Sequence, residues 1–270
     1  MTLKEARERL SAAGIESALF EARLIFRHIG GMRELDLISP LAECKSPAVE
    51  RAVGLREKRY PLQYIIGEVG FRGELYSVDE RVLIPRPDTE TLVEAAIELL
   101  PRGGSFLDLC TGSGCVAIST LAARPDLTAL GADISDGALE VARENALKNG
   151  VSERLTLKRL DVLREKAEGN FCAVLSNPPY VTAEAYRGLE KEIFHEPREA
   201  FVGGEDGCDF YRAITAAYLD LTERGGFIAY EIGYDQGEAI TKIAESHGLN
   251  IKIIKDLSGN DRVAVLRKAK

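Results

Sequence analysis

Tryptophan is absent from this 270-residue chain, methionine occurs twice and histidine three times. The histidines (His28, His195, His247) are scattered, and the five cysteines (Cys44, Cys110, Cys115, Cys172, Cys208) are odd in number and form no C-x-x-C pair. That argues against a structural zinc site, so no metal is expected. Free thiols point to a reducing cytoplasm. The start, Met1-Thr2-Leu3-Lys4-Glu5-Ala6-Arg7, carries acids and lacks an apolar segment, so no signal peptide is expected. No stretch of about 18 uncharged apolar residues exists, which excludes a helical membrane span. A basic excess is missing as well: 35 Lys and Arg stand against 43 Asp and Glu, for a net charge of −8. That balance disfavours a stable nucleic-acid partner, while leaving room for a local basic groove. Nothing in the sequence speaks to oligomeric state.

What is present is globular. Apolar residues make up 45% of the chain, enough buried surface to offset chain entropy and exclude disorder as the main state. Leu3, Ala6 and Leu10, then Leu19, Ala22, Ile25, Phe26 and Ile29, recur at helical spacing. Ser46-Pro47 opens a third helix towards Arg59, with Ser as cap and Pro at the first position. Gln63–Val69 and Glu74–Val78 are predicted to form a β-hairpin turned at Arg72-Gly73. The basic cluster Arg51, Arg56, Lys58, Arg59 is interspersed with Glu50 and Glu57 and reads as a solvated helix face.

From residue 88 helices and strands alternate. Strands are predicted at 105–110, 127–134, 155–160, 171–176, 227–232, 251–255 and 263–267. Helices are predicted at 88–100, 115–123, 136–149, 210–222 and 236–247. Alternation of this kind gives an α/β fold, a mainly parallel sheet with helices on both faces. Ligands bind such sheets beyond the carboxyl ends of the strands, so the loops after Leu109, Ile134, Leu160 and Ser176 are where chemistry is expected.

The loop Asp108-Leu-Cys110-Thr111-Gly112-Ser113-Gly114 joins a strand to a helix, where glycines admit close approach and helix amides favour negative charge. Gly112-x-Gly114-x-x-Ala117 also matches a dinucleotide fingerprint, so the loop alone is ambiguous. Asp133 follows about 20 residues later at a strand end, placed to accept from ribose hydroxyls; the plainer role is capping the next helix, which Ser135 or Asp136 could fill. Asp161 could accept from an adenine amino group with Val162 packed on the ring, or be a turn residue. Asn177-Pro178-Pro179-Tyr180 directly follows an apolar strand. Its prolines remove backbone donors, leaving the Pro178 carbonyl and the Asn177 side-chain oxygen free to accept, beside an aromatic ring that can stack. That suits a planar amino or amide group. A rigid strand exit is the plain alternative.

The two motifs together resemble the S-adenosylmethionine-dependent amino-methyltransferases. Val82-Leu-Ile-Pro-Arg86-Pro-Asp-Thr-Glu90 is similar to a run in the peptide chain release factor N5-glutamine methyltransferases of the PrmC/HemK type. Gln63-Tyr-Ile-Ile-Gly67, Glu196-Pro197, Gly203-Gly204-x-Asp206-Gly207 and Gly259-Asn-Asp-Arg262 extend the resemblance over nearly the whole chain. It implies a Rossmann-like class I methyltransferase domain at 81–270, preceded by a helical substrate-docking domain at 1–60 and a β-hairpin linker at 61–80. It also implies methyl transfer to the glutamine amide nitrogen of a release factor's Gly-Gly-Gln tripeptide.

On that reading Asn177 and Pro178 are the catalytic pair, and Pro179, Tyr180 and Arg86 complete the substrate set. Arg86 could instead be a structural partner of Asp88 or Glu90. Asp108, Cys110, Thr111, Gly112, Ser113, Gly114, Asp133, Asp161, Val162 and Asn177 are assigned to the cofactor. Phe71 is a candidate for its methionine end, against the plainer role of a core aromatic. Cys110 departs from the glycine often found there and is expected to be tolerated, since it opens the loop. The long polar stretch Val181–Gly207 is assigned to substrate enclosure, with His195 and Glu196 as anchors. Ribosomal-protein glutamine methylation and N6-adenine methylation of nucleic acid remain as alternatives.

Overall fold

The amphipathic spacing of the first sixty residues resolves into short helices in the computed structural model, which describes residues 1–268. Helix α1 (Leu3–Ala12) begins on a capping box, in which the Thr2 hydroxyl accepts the Glu5 amide at 3.2 Å and the Glu5 carboxylate accepts the Thr2 amide at 2.7 Å. Helices α2 (Ala18–His28) and α3 (Pro47–Glu57) follow, the latter capped by Ser46 with Pro47 at its first position. Leu3, Leu10, Ile25, Phe26 and Val53 close a core of their own.

Two readings of this region change. A helical turn, α4 (Leu62–Ile66), stands where the hairpin's first strand was predicted, and β1 starts only at Glu68. Leu62, Ile65 and Ile66 lie at helical spacing and pack on the helical core, which overrides their β propensity. The basic cluster on α3 is not a uniformly solvated face either. Arg51 and Lys58 are exposed, but Arg56 is buried, bonding Glu21 and, at 2.8 Å, Glu192. Its contacts with two acids explain why it turns inward.

By its contacts the chain divides into two units. The first takes Met1–Glu68 with Glu190–His195; the second takes Val69–Leu189 and the chain from Glu196 onward.

A hairpin of β1 (Glu68–Phe71) and β2 (Glu74–Ser77), all but its first residue in the second unit, turns at Arg72-Gly73, both with positive φ. Helix α5 (Glu90–Leu99) leads to β3 (Ser105–Leu109), α6 (Cys115–Ala123), β4 (Thr128–Asp133), α7 (Asp136–Lys148) and β5 (Leu155–Arg159). Then come β6 (Ala173–Ser176), the short α8 (Ala183–Tyr186), α9 (Asp209–Ala217), α10 (Leu219–Glu223), β7 (Phe227–Glu231), α11 (Gly237–Ser246), β8 (Leu249–Lys255) and β9 (Asp261–Lys268). The helix predicted over 210–222 is broken at Tyr218, whose buried side chain accepts the Ala167 amide at 2.8 Å through its hydroxyl.

Seven strands form one sheet in the order β5-β4-β3-β6-β7-β9-β8. All neighbours from β5 to β7 are parallel, and β9 runs antiparallel to both β7 and β8. Alternate side chains serve opposite faces: Phe106, Leu175 and Ala229 join one core with α5 and α6, while Leu107, Val174 and Tyr230 join the other with α9 and α11. The chain runs outward from β3 through β4 to β5, then returns to place β6 on β3's other side. The carboxyl ends of β3 and β6 therefore flank the topological switch point, where open α/β sheets hold ligands.

Candidate active site

A cavity of about 530 Å³ opens at that switch point. Its wall carries Arg86, Cys110, Thr111, Gly112, Ser113, Asp133, Asp161, Val162, Asn177 and Pro179. The structure thus brings together residues that the sequence separates by up to about ninety positions.

The loop after β3 is shaped from below. Asp108 is buried, and its Oδ2 accepts the Thr111 hydroxyl at 2.6 Å and the Ala117 amide at 3.2 Å. Oδ1 has no hydrogen-bond partner, and burial pushes the carboxyl up to about 7 despite these donors. Asp108 and Gly114 shape the loop without lining the cavity. Cys110 sits at φ +58°, in the left-handed region that favours glycine. The expectation that Cys110 lies away from the loop's tight conformation is corrected accordingly. Burial, then the Asp133 carboxylate, push its thiol well up, so it stays protonated.

Asp133 accepts the Gly112 amide on Oδ2 at 2.9 Å and the Ser135 amide on Oδ1 at 3.0 Å, so each oxygen keeps a further lone pair. Burial raises its carboxyl, opposed by those amides. The helix-capping role falls to Ser135, whose hydroxyl accepts the Ala138 amide at 3.2 Å. Asp161 combines the two roles considered for it: it lines the cavity and accepts the Leu163 amide at 3.1 Å.

On the other side of the switch point Asn177 donates from Nδ2 to the Thr89 hydroxyl at 3.2 Å. Among the described residues, neither Asn177 Oδ1 nor the Pro178 carbonyl receives a hydrogen bond from the chain. Pro178 and Tyr180 are not on the cavity wall. Tyr180 instead points its hydroxyl to Glu231 Oε1 at 3.3 Å. Phe71 does not reach the cavity: it is 2% exposed and meets Tyr76 edge-to-face at 5.8 Å in the core, so its assignment to the cofactor is withdrawn.

The run at residues 86–90 fastens a different segment with almost every side chain. Arg86 pairs with neither Asp88 nor Glu90 but with Glu196, which also accepts the Ile84 amide at 2.9 Å. Burial nevertheless raises the Glu196 carboxyl. Asp88 pairs with Arg262 at 3.2 Å, Thr89 with Asn177, and Glu90 accepts the Arg72 amide at 2.9 Å. The glycines at 203–207 also find their reason. Val181 and Gly203 bond across the loop, and a Cβ on Gly203 would stand well inside contact distance of the Pro179 carbonyl.

Sequence reasoning missed Thr89, Asn145 and Glu231. Asn145, fully buried, accepts the Ser77 amide at 2.7 Å and donates to the Ser113 carbonyl at 2.9 Å, tying the hairpin to the loop after β3. Glu231 was legible in principle, as an acid ending an apolar strand at the same sheet edge as Asp133.

Residues 87–205 match the methyltransferase small domain, and residues 2–67 match the PrmC N-terminal domain. The release factor glutamine methyltransferase of Caulobacter vibrioides is 37% identical over 96% of this chain and 93% of its own length. The enzyme of that name from Moorella thermoacetica is 38% identical, over 96% and 95% respectively. The chain belongs to the release factor glutamine methyltransferase family. The hMettl16 catalytic domain, solved in complex with an RNA hairpin, superposes with a TM-score of 0.59 over 83% of this chain and 81% of its own at 14% identity, which speaks for the fold alone. Members of this family are S-adenosylmethionine-dependent, and the residues present suit that cofactor. Asp133 offers acceptors for a ribose diol, Asp161 an acceptor for an amino group, and Val162 an apolar wall for a flat ring.

Proposed function

We propose that the chain methylates the side-chain amide nitrogen of the glutamine in a release factor's Gly-Gly-Gln tripeptide. The observation that carries this reading is the fixed amide of Asn177, with Nδ2 committed to Thr89 and Oδ1 unpaired at a cavity wall. S-adenosylmethionine supplies an electrophilic methyl group. An amide nitrogen is a poor nucleophile because its lone pair is delocalised into the carbonyl. Asn177 Oδ1 and the Pro178 carbonyl accept the two N–H hydrogens of the substrate amide, which orients the nitrogen and raises its electron density. This is catalysis by positioning and fixed dipoles. The nitrogen's proton leaves to water, so no strong base is needed. Asp133 and Asp161 hold the cofactor, Arg86 with Glu196 sets the wall on the substrate side, and Tyr180 fixes the end of the run from behind.

The first sixty residues are assigned to docking of the release factor, the hairpin to linking, and residues 81–270 to catalysis. Removing residues 1–60 should lower methylation of the intact factor; undiminished methylation would remove that role. Release factors work where translation does, which places the protein in the cytoplasm. Among the described residues no helix is long and apolar enough to cross a membrane.

The test is methyl transfer from labelled S-adenosylmethionine to a purified release factor, to its Gly-Gly-Ala variant and to unmethylated DNA. Label on the intact factor alone supports the reading. Label on DNA, or equal label on the Gly-Gly-Ala variant, overturns the substrate.

A further inference from the structure

The side chain that opens the last helix has no part in the mechanism above. Gln236 is the N-cap of α11, a position that helices prefer to fill with Ser, Thr, Asp or Asn, yet its side chain makes no capping hydrogen bond. It is not on the cavity wall. It folds back instead: its main-chain amide donates to the Gly233 carbonyl at 2.9 Å, and its Oε1 accepts the Gly233 amide at 2.9 Å. Nε2 then donates to the Tyr180 carbonyl at 3.1 Å and to the Gly207 carbonyl at 3.4 Å. One side chain thus joins the last residue of the 177–180 run to the last residue of the 181–207 stretch.

Donor counting fixes the direction of this amide. A main-chain N–H only donates and a carbonyl only accepts, so Oε1 must face Gly233 and Nε2 must face Tyr180 and Gly207. The Tyr211 hydroxyl, 3.3 Å from Oε1, completes its surroundings. Gly207 has a φ of +74°, and a Cβ there would overlap the Tyr180 carbonyl and stand 2.9 Å from Nε2. The missing side chain leaves the room that this amide occupies.

The run needs such a fastening because of its composition. Pro178 and Pro179 have no N–H, so the middle of the run has no main-chain donor with which to hold itself. Its entry is fixed by Ser176, which ends β6 in register with β3 and β7. Two locked φ angles make the run stiff, so a shift at its exit is passed back to the Pro178 carbonyl. Beyond the exit, Val181 donates to the Phe201 carbonyl at 2.8 Å and Gly203 to the Val181 carbonyl at 3.0 Å.

We propose that Gln236 is a positioning residue, whose amide clasps the exit of the 177–180 run to Gly207 and so keeps the Asn177 and Pro178 acceptors aligned. The proposal rests on the reading of those two acceptors as the partners of the glutamine N–H hydrogens.

The experiment measures steady-state methylation of a release factor, S-adenosylmethionine affinity by calorimetry, and amide hydrogen exchange in the wild type, Gln236→Glu and Gln236→Met. Glutamate keeps an acceptor for Gly233 but sets an oxygen where two donors are needed. Methionine keeps the length and carries no charge, so the test survives if the carboxylate prevents folding. Both variants should lose about 10- to 100-fold in kcat, the scale of a misplacement of about one ångström at a reacting centre. KM for the factor and cofactor affinity should change little. Exchange at the Val181 and Gly203 amides should quicken, while Leu107 and Val174 in the sheet stay protected. Wild-type kcat in Gln236→Met would overturn the proposal. So would a rise in KM at constant kcat, which is a docking role, or lost protection throughout the sheet, which is a purely structural one. Should the wild type methylate DNA instead of the factor, the same loss of kcat on DNA would keep the clasp and sink the substrate reading alone.

Discussion

The Ser176 hydroxyl donates to the Leu109 main-chain carbonyl at 2.8 Å, and the two residues are register partners at the carboxyl ends of β6 and β3. Cys110 and Asn177, the next residue on each strand, therefore leave the sheet side by side. One begins the loop assigned to the cofactor and the other the run assigned to the substrate amide. Sixty-odd residues apart in the chain, they share one cavity wall.

Asn177→Ala removes an acceptor proposed to act on the reacting nitrogen. We expect kcat to fall by about 10²- to 10³-fold, as for loss of other preorganised groups at a reacting centre. Cofactor affinity measured by calorimetry should change little by comparison. An unchanged kcat would remove Asn177 from the mechanism.

Cys110→Gly relieves a left-handed conformation. Such a conformation costs a residue with a side chain roughly 1–2 kcal/mol, offset in part by the greater freedom of glycine in the unfolded chain. A net gain of about 0.5–1 kcal/mol in urea unfolding is expected. A loss would mean that packing of the thiol outweighs backbone strain.

Gly203→Ala forces the Pro179 carbonyl to move, because the added methyl overlaps it. Methyl transfer should drop sharply while the far-UV spectrum stays native. Retained activity would show that the 177–180 run tolerates displacement.

Asp108 gives the fold a pH dependence of definite sign. Its carboxyl is raised by burial from the ordinary 3.8 to about 7, so the folded state holds a proton that the unfolded chain releases. Stability contributed by the protonated acid is full below about 4 and falls as pH rises towards 7, by a total on the order of 4 kcal/mol. Glu231 acts in the same direction. Melting temperatures of Asp108→Asn should decline less than those of the wild type between pH 5 and about 7; parallel curves would refute the assignment.

Much of this was readable before folding. The capping box at Thr2, Ser46-Pro47 and the glycines after Leu109 are local signals, and local sequence writes helix starts and turns directly. Leu62 to Ile66 misled because β-propensity is weak where a helical stripe can reach a core. Phe71 misled for a related reason: a hairpin aromatic can face a core or a ligand, and only packing against Tyr76 decides.

By itself the sequence determined the alternation of strands and helices, the sheet edge where chemistry belongs, and the two loops that carry it. Tertiary structure alone decided which groups stand behind those loops: Thr89 under Asn177, Glu231 under Tyr180, and Glu196 against Arg86. The reason is physical. Turns and caps depend on neighbours in the chain, whereas the partner of a buried polar group is set by strand order, which brings β3, β6 and β7 together from distant stretches.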